Sequence, residues 1–223
     1  MQLNQILNTA DLAQIWQQSC SHLQLDPLGK NVSRQPEIDR IFELLVTAYT
    51  HPDRYYHNLN HIYYLIATLD RFSDFQNRHA VYFAAWFHDF IYDSQASDNE
   101  IESARAARNL LANLGESPET IERVSSLILA TQGHQIDPLD RDLSIFLDAD
   151  LAILGTDPVI YQAYQQSIRS EYNWVADAAY QSGRIRVLES FLKRDRLYQT
   201  ELLFNELESI ARLNLTREIS FLE

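Results

Sequence analysis

The sequence has little of what builds disulfide-rich, turn-rich or membrane proteins. Its one cysteine, Cys20, excludes an internal disulfide framework and fits a reducing compartment. Glycine and proline number only 5 and 6 in 223 residues, which disfavours sandwiches and barrels. No apolar run approaches the roughly 20 residues of a bilayer span, and no charged segment with an apolar stretch follows Met1. We therefore expect a cytoplasmic protein without a membrane partner.

Positive charge is also scarce. Lys and Arg number 18 against 31 Asp and Glu, which gives a formal net charge of −13. Binding to nucleic-acid polymers depends on cations that neutralise phosphates, so this balance argues against such a partner. A small anionic substrate would need local positive charge from a metal ion or from a few arginines.

Helical periodicity runs through most of the chain. Asn58 and Ser117 are predicted to cap helices, and Gly115 is predicted to end one. Residues 79–91 are apolar nearly all round, as in a buried central helix. With no clear strand alternation, no repeat and no long linker, we predict a single all-α domain over residues 1–223 with roughly eight to ten helices.

Several histidines and aspartates stand where apolar residues are expected. A lone buried histidine is more often a core residue whose neighbours satisfy its nitrogens. However, His88 and Asp89 end the most apolar segment, and Asp148 and Asp150 interrupt another. No Lys or Arg lies in either run to pair with these carboxylates, and an unpaired buried carboxylate is costly. A divalent ion that bridges helices would satisfy imidazoles such as that of His61 together with the carboxylates.

The same residues carry a family resemblance. His61, the His88–Asp89 pair and Asp150 resemble the H…HD…D signature of the HD-domain metal-dependent phosphohydrolases. The segments "YHN..H", "HD..YD", "NE..SA" and "DADLAILG" are also similar to a bacterial branch of predicted HD-superfamily phosphohydrolases. The resemblance implies an HD helical fold whose metal-binding core covers about residues 54–155, with those four side chains as metal ligands.

The resemblance implies one divalent metal ion. Two imidazoles and two carboxylates suit Mn, Fe, Co, Ni or Zn, and Mg less well. His134 could ligate a second ion, but the two-metal HD pattern usually supplies two extra histidines, so one ion is favoured. Glu100 is a candidate acid beside the site, although a glutamate in the first turn of a helix is equally explained by the helix dipole.

Two residues receive catalytic roles from the resemblance. "YHNLNH" resembles the "YHN..H" of cyclic-nucleotide phosphodiesterases, which implies that His57 is the general acid; the alternative is that His57 stabilises the start of a helix. Asp93 occupies the place of the final acid in the "HDxxED" motif of guanosine-tetraphosphate hydrolases, where this chain has Tyr92 instead of Glu. Asp93 would orient or deprotonate the attacking water, or cap a helix end.

Candidate substrate contacts are less specific. Guanidinium groups suit phosphate oxygens, which makes Arg54, Arg169 and Arg184 candidates. Glu100 and His134 complete the set of candidate substrate-binding residues. For each arginine, the alternative is an ordinary place on a solvated helix face.

Together these features predict a metal-dependent phosphohydrolase that acts on a small phosphate ester, for example a nucleotide, through attack of metal-activated water at phosphorus. Whether it is a phosphomonoesterase, a phosphodiesterase or a pyrophosphohydrolase is left open. Two alternatives are an HD-fold iron oxygenase, with His134 as the spare ligand, and a non-enzymatic domain with a structural metal. The sequence does not indicate the oligomeric state.

Overall fold

In the computed structural model of the chain, residues 9–24, 34–134 and 136–223 are described. They form ten α-helices and no β-strand, which confirms the all-α prediction. The helices are α1 (Thr9–Ser19), α2 (Gln35–Tyr49), α3 (Leu59–Leu69), α4 (Arg78–Phe87), α5 (Asn99–Leu114), α6 (Pro118–Ala130), α7 (Arg141–Asp150), α8 (Pro158–Glu171), α9 (Asp177–Leu192) and α10 (Glu201–Leu222).

The chain divides into two compact units. The first ends at Ile136 and contains α1 to α6, whereas the second, Asp137–Glu223, contains α7 to α10. The prediction of a single HD-like domain over residues 1–223 stays a prediction.

The helix boundaries follow from local chemistry. The side chains of Asn58 and Ser117 accept hydrogen bonds from backbone N–H groups at the start of α3 and α6. Caps of this kind are worth about 1 kcal/mol each. Gly115 ends α5 with φ at 83°, a conformation in which a side chain is strained. These three predicted boundaries are confirmed.

Helix α4 forms the centre of the first unit, and every residue from Ala80 to Phe87 is buried. The ring of Trp16 lies 5.6 Å from that of Trp86. The ten residues of α4 are mostly apolar. In the described ranges, however, no helix has both the length and the apolar character that a membrane crossing requires.

Helix α4 is shorter than the apolar run 79–91 predicts. It ends at Phe87, so His88 is its C-cap and Asp89 lies in the turn that follows. Two side chains hydrogen-bond carbonyls that would accept backbone N–H groups if the helix continued. The Tyr49 hydroxyl donates to the carbonyl of Trp86 (2.9 Å), and a ring nitrogen of His88 donates to the carbonyl of Ala85 (3.1 Å).

The second unit packs around α10. A 3-10 turn, Leu151–Gly155, lies against α10, and Gly155 allows the close approach because an added Cβ would come within 2.5 Å of the Cβ of Leu207. The side-chain amide of Asn214 donates to the carbonyls of Leu154 (3.0 Å) and Thr156 (2.9 Å) and fixes the end of this turn.

Candidate metal centre

Two histidines and one aspartate converge in the first unit. His61 lies in the first turn of α3, and His88 and Asp89 follow α4. Nε2 of His61 lies 3.0 Å from Nε2 of His88 and 3.7 Å from Oδ2 of Asp89, and Nε2 of His88 lies 3.0 Å from the same Oδ2. The side chains are 5%, 2% and 17% exposed, so this cluster is largely shielded from water.

The backbone fixes the tautomer of one imidazole. Nδ1 of His88 lies 3.1 Å from the carbonyl oxygen of Ala85, which can only accept, so Nδ1 carries the proton. In the neutral ring, Nε2 is then an acceptor, and it faces a carboxylate oxygen of Asp89. Two acceptors at this distance repel each other unless a cation, either a proton or a metal ion, lies between them.

The spacing of the three atoms fits a metal ion. With metal–ligand bonds of about 2.1 Å, neighbouring ligand atoms are about 3.0 Å apart in octahedral and about 3.4 Å apart in tetrahedral coordination. The observed separations of 3.0, 3.0 and 3.7 Å bracket those values.

The imidazoles also set the charge of Asp89. Burial acts to raise the pKa of this carboxyl, but His88, His57 and His61 outweigh burial and hold the pKa below its usual range. Asp89 is therefore a carboxylate near neutral pH, as a metal ligand must be.

His57, the predicted general acid, lies beside this cluster. It is half-buried and precedes Asn58, the cap of α3. Its ring centroid lies 4.3 Å from that of Tyr92, 4.9 Å from that of Tyr56 and 6.0 Å from that of His61. The side chain that caps α3 is that of Asn58, so the helix start has a cap without His57.

Three other predicted residues lie in loops or at a helix start. Asp93 is exposed, and its carboxylate accepts a hydrogen bond from the backbone N–H of Gln95 (2.8 Å), so it shapes the turn between α4 and α5. Glu100 lies in the first turn of α5. His134 follows α6 with φ at 50° and is half-buried. Their catalytic and substrate-binding roles stay predictions.

Arg54 is half-buried and makes its hydrogen bonds to main-chain carbonyls on both sides of the cluster, those of His57, Asp89 and Phe90. Its predicted contact with substrate stays a prediction.

In the second unit, Arg169 and Arg184 are engaged by protein groups. Arg169 donates to Asp177 (2.6 Å) and to backbone carbonyls at the end of α8. Arg184 forms an ion pair with Glu218 (2.7 Å) in which both side chains are under 10% exposed. Their predicted role in binding substrate stays a prediction.

Asp148 and Asp150, at the C-terminal end of α7, differ in their surroundings. The buried Asp148 accepts backbone N–H hydrogen bonds from Gln199 (2.8 Å) and Thr200 (2.6 Å), so it anchors the start of α10. Burial raises the pKa of Asp148 to about 6, against the lowering effect of the Thr200 and Gln199 hydrogen bonds. Asp150 is the last residue of α7 and is half-buried. Asp148 thus has a structural explanation, and Asp150 as a ligand stays a prediction.

Two features of the site escape sequence reasoning. The hydroxyl of Ser103 on α5 bonds both the N–H and the carbonyl of Ile91, at 3.0 and 3.1 Å, and so holds the segment after Asp89. The contact between Tyr92 and His57 links residues 35 positions apart. In the sequence, only the "YD" that follows "HDFI" indicates that residues after Asp89 belong to the site.

Searches for similar proteins find no family model, no curated protein and no solved structure that matches the chain. Any functional conclusion must therefore come from the chain's own residues.

Proposed function

We propose that this protein is a divalent-metal-dependent phosphohydrolase of the HD type, acting on a small phosphate ester or nucleotide. The observation that carries the proposal is the convergence of Nε2 of His61, Nε2 of His88 and Oδ2 of Asp89 within 3.7 Å of one another. A carboxylate that is largely shielded from water and faces two imidazoles, one with its tautomer fixed, is suited to hold a cation.

These three side chains would hold the ion. Asp150 of the second unit is the proposed fourth ligand, on the strength of its place in the "DADLAIL" motif. When bound, a divalent ion supplies two effects: it lowers the pKa of a water molecule and it polarises a phosphoryl oxygen.

His57 is the proposed proton donor to the leaving oxygen. Its ring is next to the ligands and is half-buried, so it is within reach of a substrate that binds at the cluster. The rings of Tyr56 and Tyr92 flank it and limit its rotation. As the bond from phosphorus to the leaving oxygen breaks, the imidazolium gives its proton to that oxygen, and the proton of the attacking water returns to solvent or to the imidazole.

The test is a panel of phosphomonoesters, phosphodiesters and nucleoside polyphosphates, each assayed with Mn, Fe, Co, Ni, Zn and Mg. We expect phosphate or nucleotide release with at least one metal, loss of that release in Asp89→Ala, and its retention in the matched control Asp70→Ala. Asp70 is at the opposite end of α3 and pairs with Arg78. Metal binding without release from any substrate would contradict the proposal, and oxygen consumption by the iron form would favour an oxygenase instead.

A further inference from the structure

The guanidinium of Arg54 joins the two chain segments that carry the proposed catalytic groups. Nη1 donates to the carbonyl of Asp89 at 2.6 Å and to that of His57 at 3.3 Å, and Nη2 donates to the carbonyl of Phe90 at 2.9 Å. One side chain thus bonds the main chain of the proposed proton donor and of a proposed metal ligand.

The guanidinium is held in place by aromatic rings as well. It lies over the ring of Tyr49, 4.9 Å from the centroid, and over that of Tyr92, 5.5 Å from the centroid. Tyr49 is itself fixed in the core, where it is 1% exposed and bonds α4 through Trp86. To turn its guanidinium toward a substrate phosphate, Arg54 would have to give up these contacts and leave carbonyls near the site without their donors.

We infer that Arg54 is a positioning residue that sets the distance between His57 and Asp89, and is not a contact for substrate phosphate. The catalytic part of this inference rests on the proposed function. A planar guanidinium can donate to several carbonyls at once in fixed directions, whereas the single nitrogen of a lysine cannot span the same set. A positive charge alone is therefore insufficient for this positioning, because it depends on the planar guanidinium with its several donors in fixed directions.

The neighbouring Tyr92 belongs to the same arrangement. Its ring meets His57 at 4.3 Å with an interplanar angle of 31° and also contacts the guanidinium. Arg54 therefore acts on His57 in two ways, through its carbonyl and through the ring against which the imidazole packs.

The experiment compares Arg54→Ala and Arg54→Lys with wild type in two measurements that need no substrate. The first is amide hydrogen exchange, in which we expect the segments 55–58 and 89–93 to exchange about tenfold faster or more in Arg54→Ala. The second is Co²⁺ titration followed by visible absorption, in which we expect affinity to fall about 10- to 100-fold and the spectrum to change. Arg54→Lys should show nearly the same faster exchange and weaker Co²⁺ binding as Arg54→Ala.

The matched control is Arg78→Ala. Arg78 also lies over aromatic rings, those of Phe75 and Tyr82, but it is at the other end of α4, where it pairs with Asp70. This variant should leave exchange at 55–58 and 89–93, and the Co²⁺ affinity, at wild-type values.

A kinetic comparison separates the two roles of Arg54. Loss of positioning lowers kcat with little change in KM, whereas loss of a phosphate contact raises KM and is repaired by added guanidinium. The inference would be overturned if Arg54→Ala left both exchange and Co²⁺ affinity unchanged, or if its only kinetic effect were a higher KM. If wild type hydrolyses no phosphate ester, the proposed function fails, while exchange and Co²⁺ affinity still decide the role of Arg54. If wild type binds no Co²⁺, exchange alone decides it.

Discussion

Carboxylates that are largely shielded from water occur in both units of the molecule, but they are satisfied in different ways. In the second unit, Glu218 is paired with Arg184 and accepts from the hydroxyl of Tyr161. Glu208 accepts the backbone N–H groups of Leu197 and Tyr198. Each of these acids has cations or N–H donors from the protein, and the fold alone explains it.

The first unit treats Asp89 differently. The contacts of its carboxylate are with the imidazoles of His61 and His88, and the tautomer of His88 presents a lone pair to it. The lone pair on Nε2 of His88 and the carboxylate of Asp89 lie 3.0 Å apart, so a proton or a metal ion between them relieves their repulsion. The comparison teaches that the partner of a buried acid, more than its burial, separates a structural group from a candidate ligand.

The largest effect should come from removing Asp89. Asp89→Ala should lower turnover of any substrate found by at least about a thousandfold, because the cluster loses its only carboxylate from the first unit and the several kcal/mol of charge stabilisation that a bound ion supplies. Steady-state assay measures this. Glu208→Gln, which changes a structural acid, should keep the turnover number at temperatures below its melting point; equal losses in the two variants would erase the difference between the units.

His57 comes next. His57→Ala should lower turnover by about a hundred- to ten-thousandfold while metal content and melting temperature stay at wild-type values, because a proton donor is lost and the cap Asn58 remains. The loss should shrink for nitrophenyl esters, whose leaving group needs little protonation. Loss of metal from this variant would instead make His57 a ligand.

The ion pair of the second unit should matter for stability only. Glu218→Ala leaves the guanidinium of Arg184 buried without its carboxylate, and we expect the free energy of unfolding to fall by about 3–5 kcal/mol. Denaturant titration gives this value. Co²⁺ affinity, measured well below the melting point, should be unchanged, and a drop in affinity would place Glu218 among the functional acids.

Asp148 and Asp150, two residues apart at the end of α7, sharpen the comparison. Asp150→Asn should weaken Co²⁺ binding by at least about tenfold, whereas Asp148→Asn should lower the melting temperature and spare the metal, because Asp148 anchors the start of α10. The reverse pattern, with metal lost only from Asp148→Asn, would exchange their roles.

The smallest effect concerns pH and lies outside the cluster. Burial lowers the pKa of His79, with repulsion from His22 and Arg78 in the same direction and Glu116 opposed. The folded state therefore favours neutral His79. Its contribution to the free energy of unfolding is present above pH 6.5, the ordinary pKa of histidine, and is lost as the pH falls from there through the lowered pKa of the folded state. In His79→Gln, the unfolding free energy should fall less steeply from pH 7 to 5 than in wild type. An identical slope would remove His79 from the acid response.

Sequence reasoning reached the helical class, the caps at Asn58 and Ser117 and the stop at Gly115, because these depend on neighbours along the chain. It placed the end of α4 too late, since one of the two side-chain bonds at this helix end comes from Tyr49, 37 positions away from Trp86. It also could not separate a guanidinium that binds carbonyls from one that binds phosphate. Arg54 shows why: which carbonyls lie beside it depends on how α3 and α4 pack.

The central claim is that His61, His88 and Asp89 hold a divalent metal ion. The direct measurement is elemental analysis of purified wild type, His88→Ala and Glu208→Gln after dialysis against the same buffer. We predict about one equivalent of a first-row transition metal in wild type and in Glu208→Gln, and a near-complete loss in His88→Ala. Equal metal content in all three proteins, or none in wild type even after incubation with Mn²⁺, Co²⁺ or Zn²⁺, would contradict it.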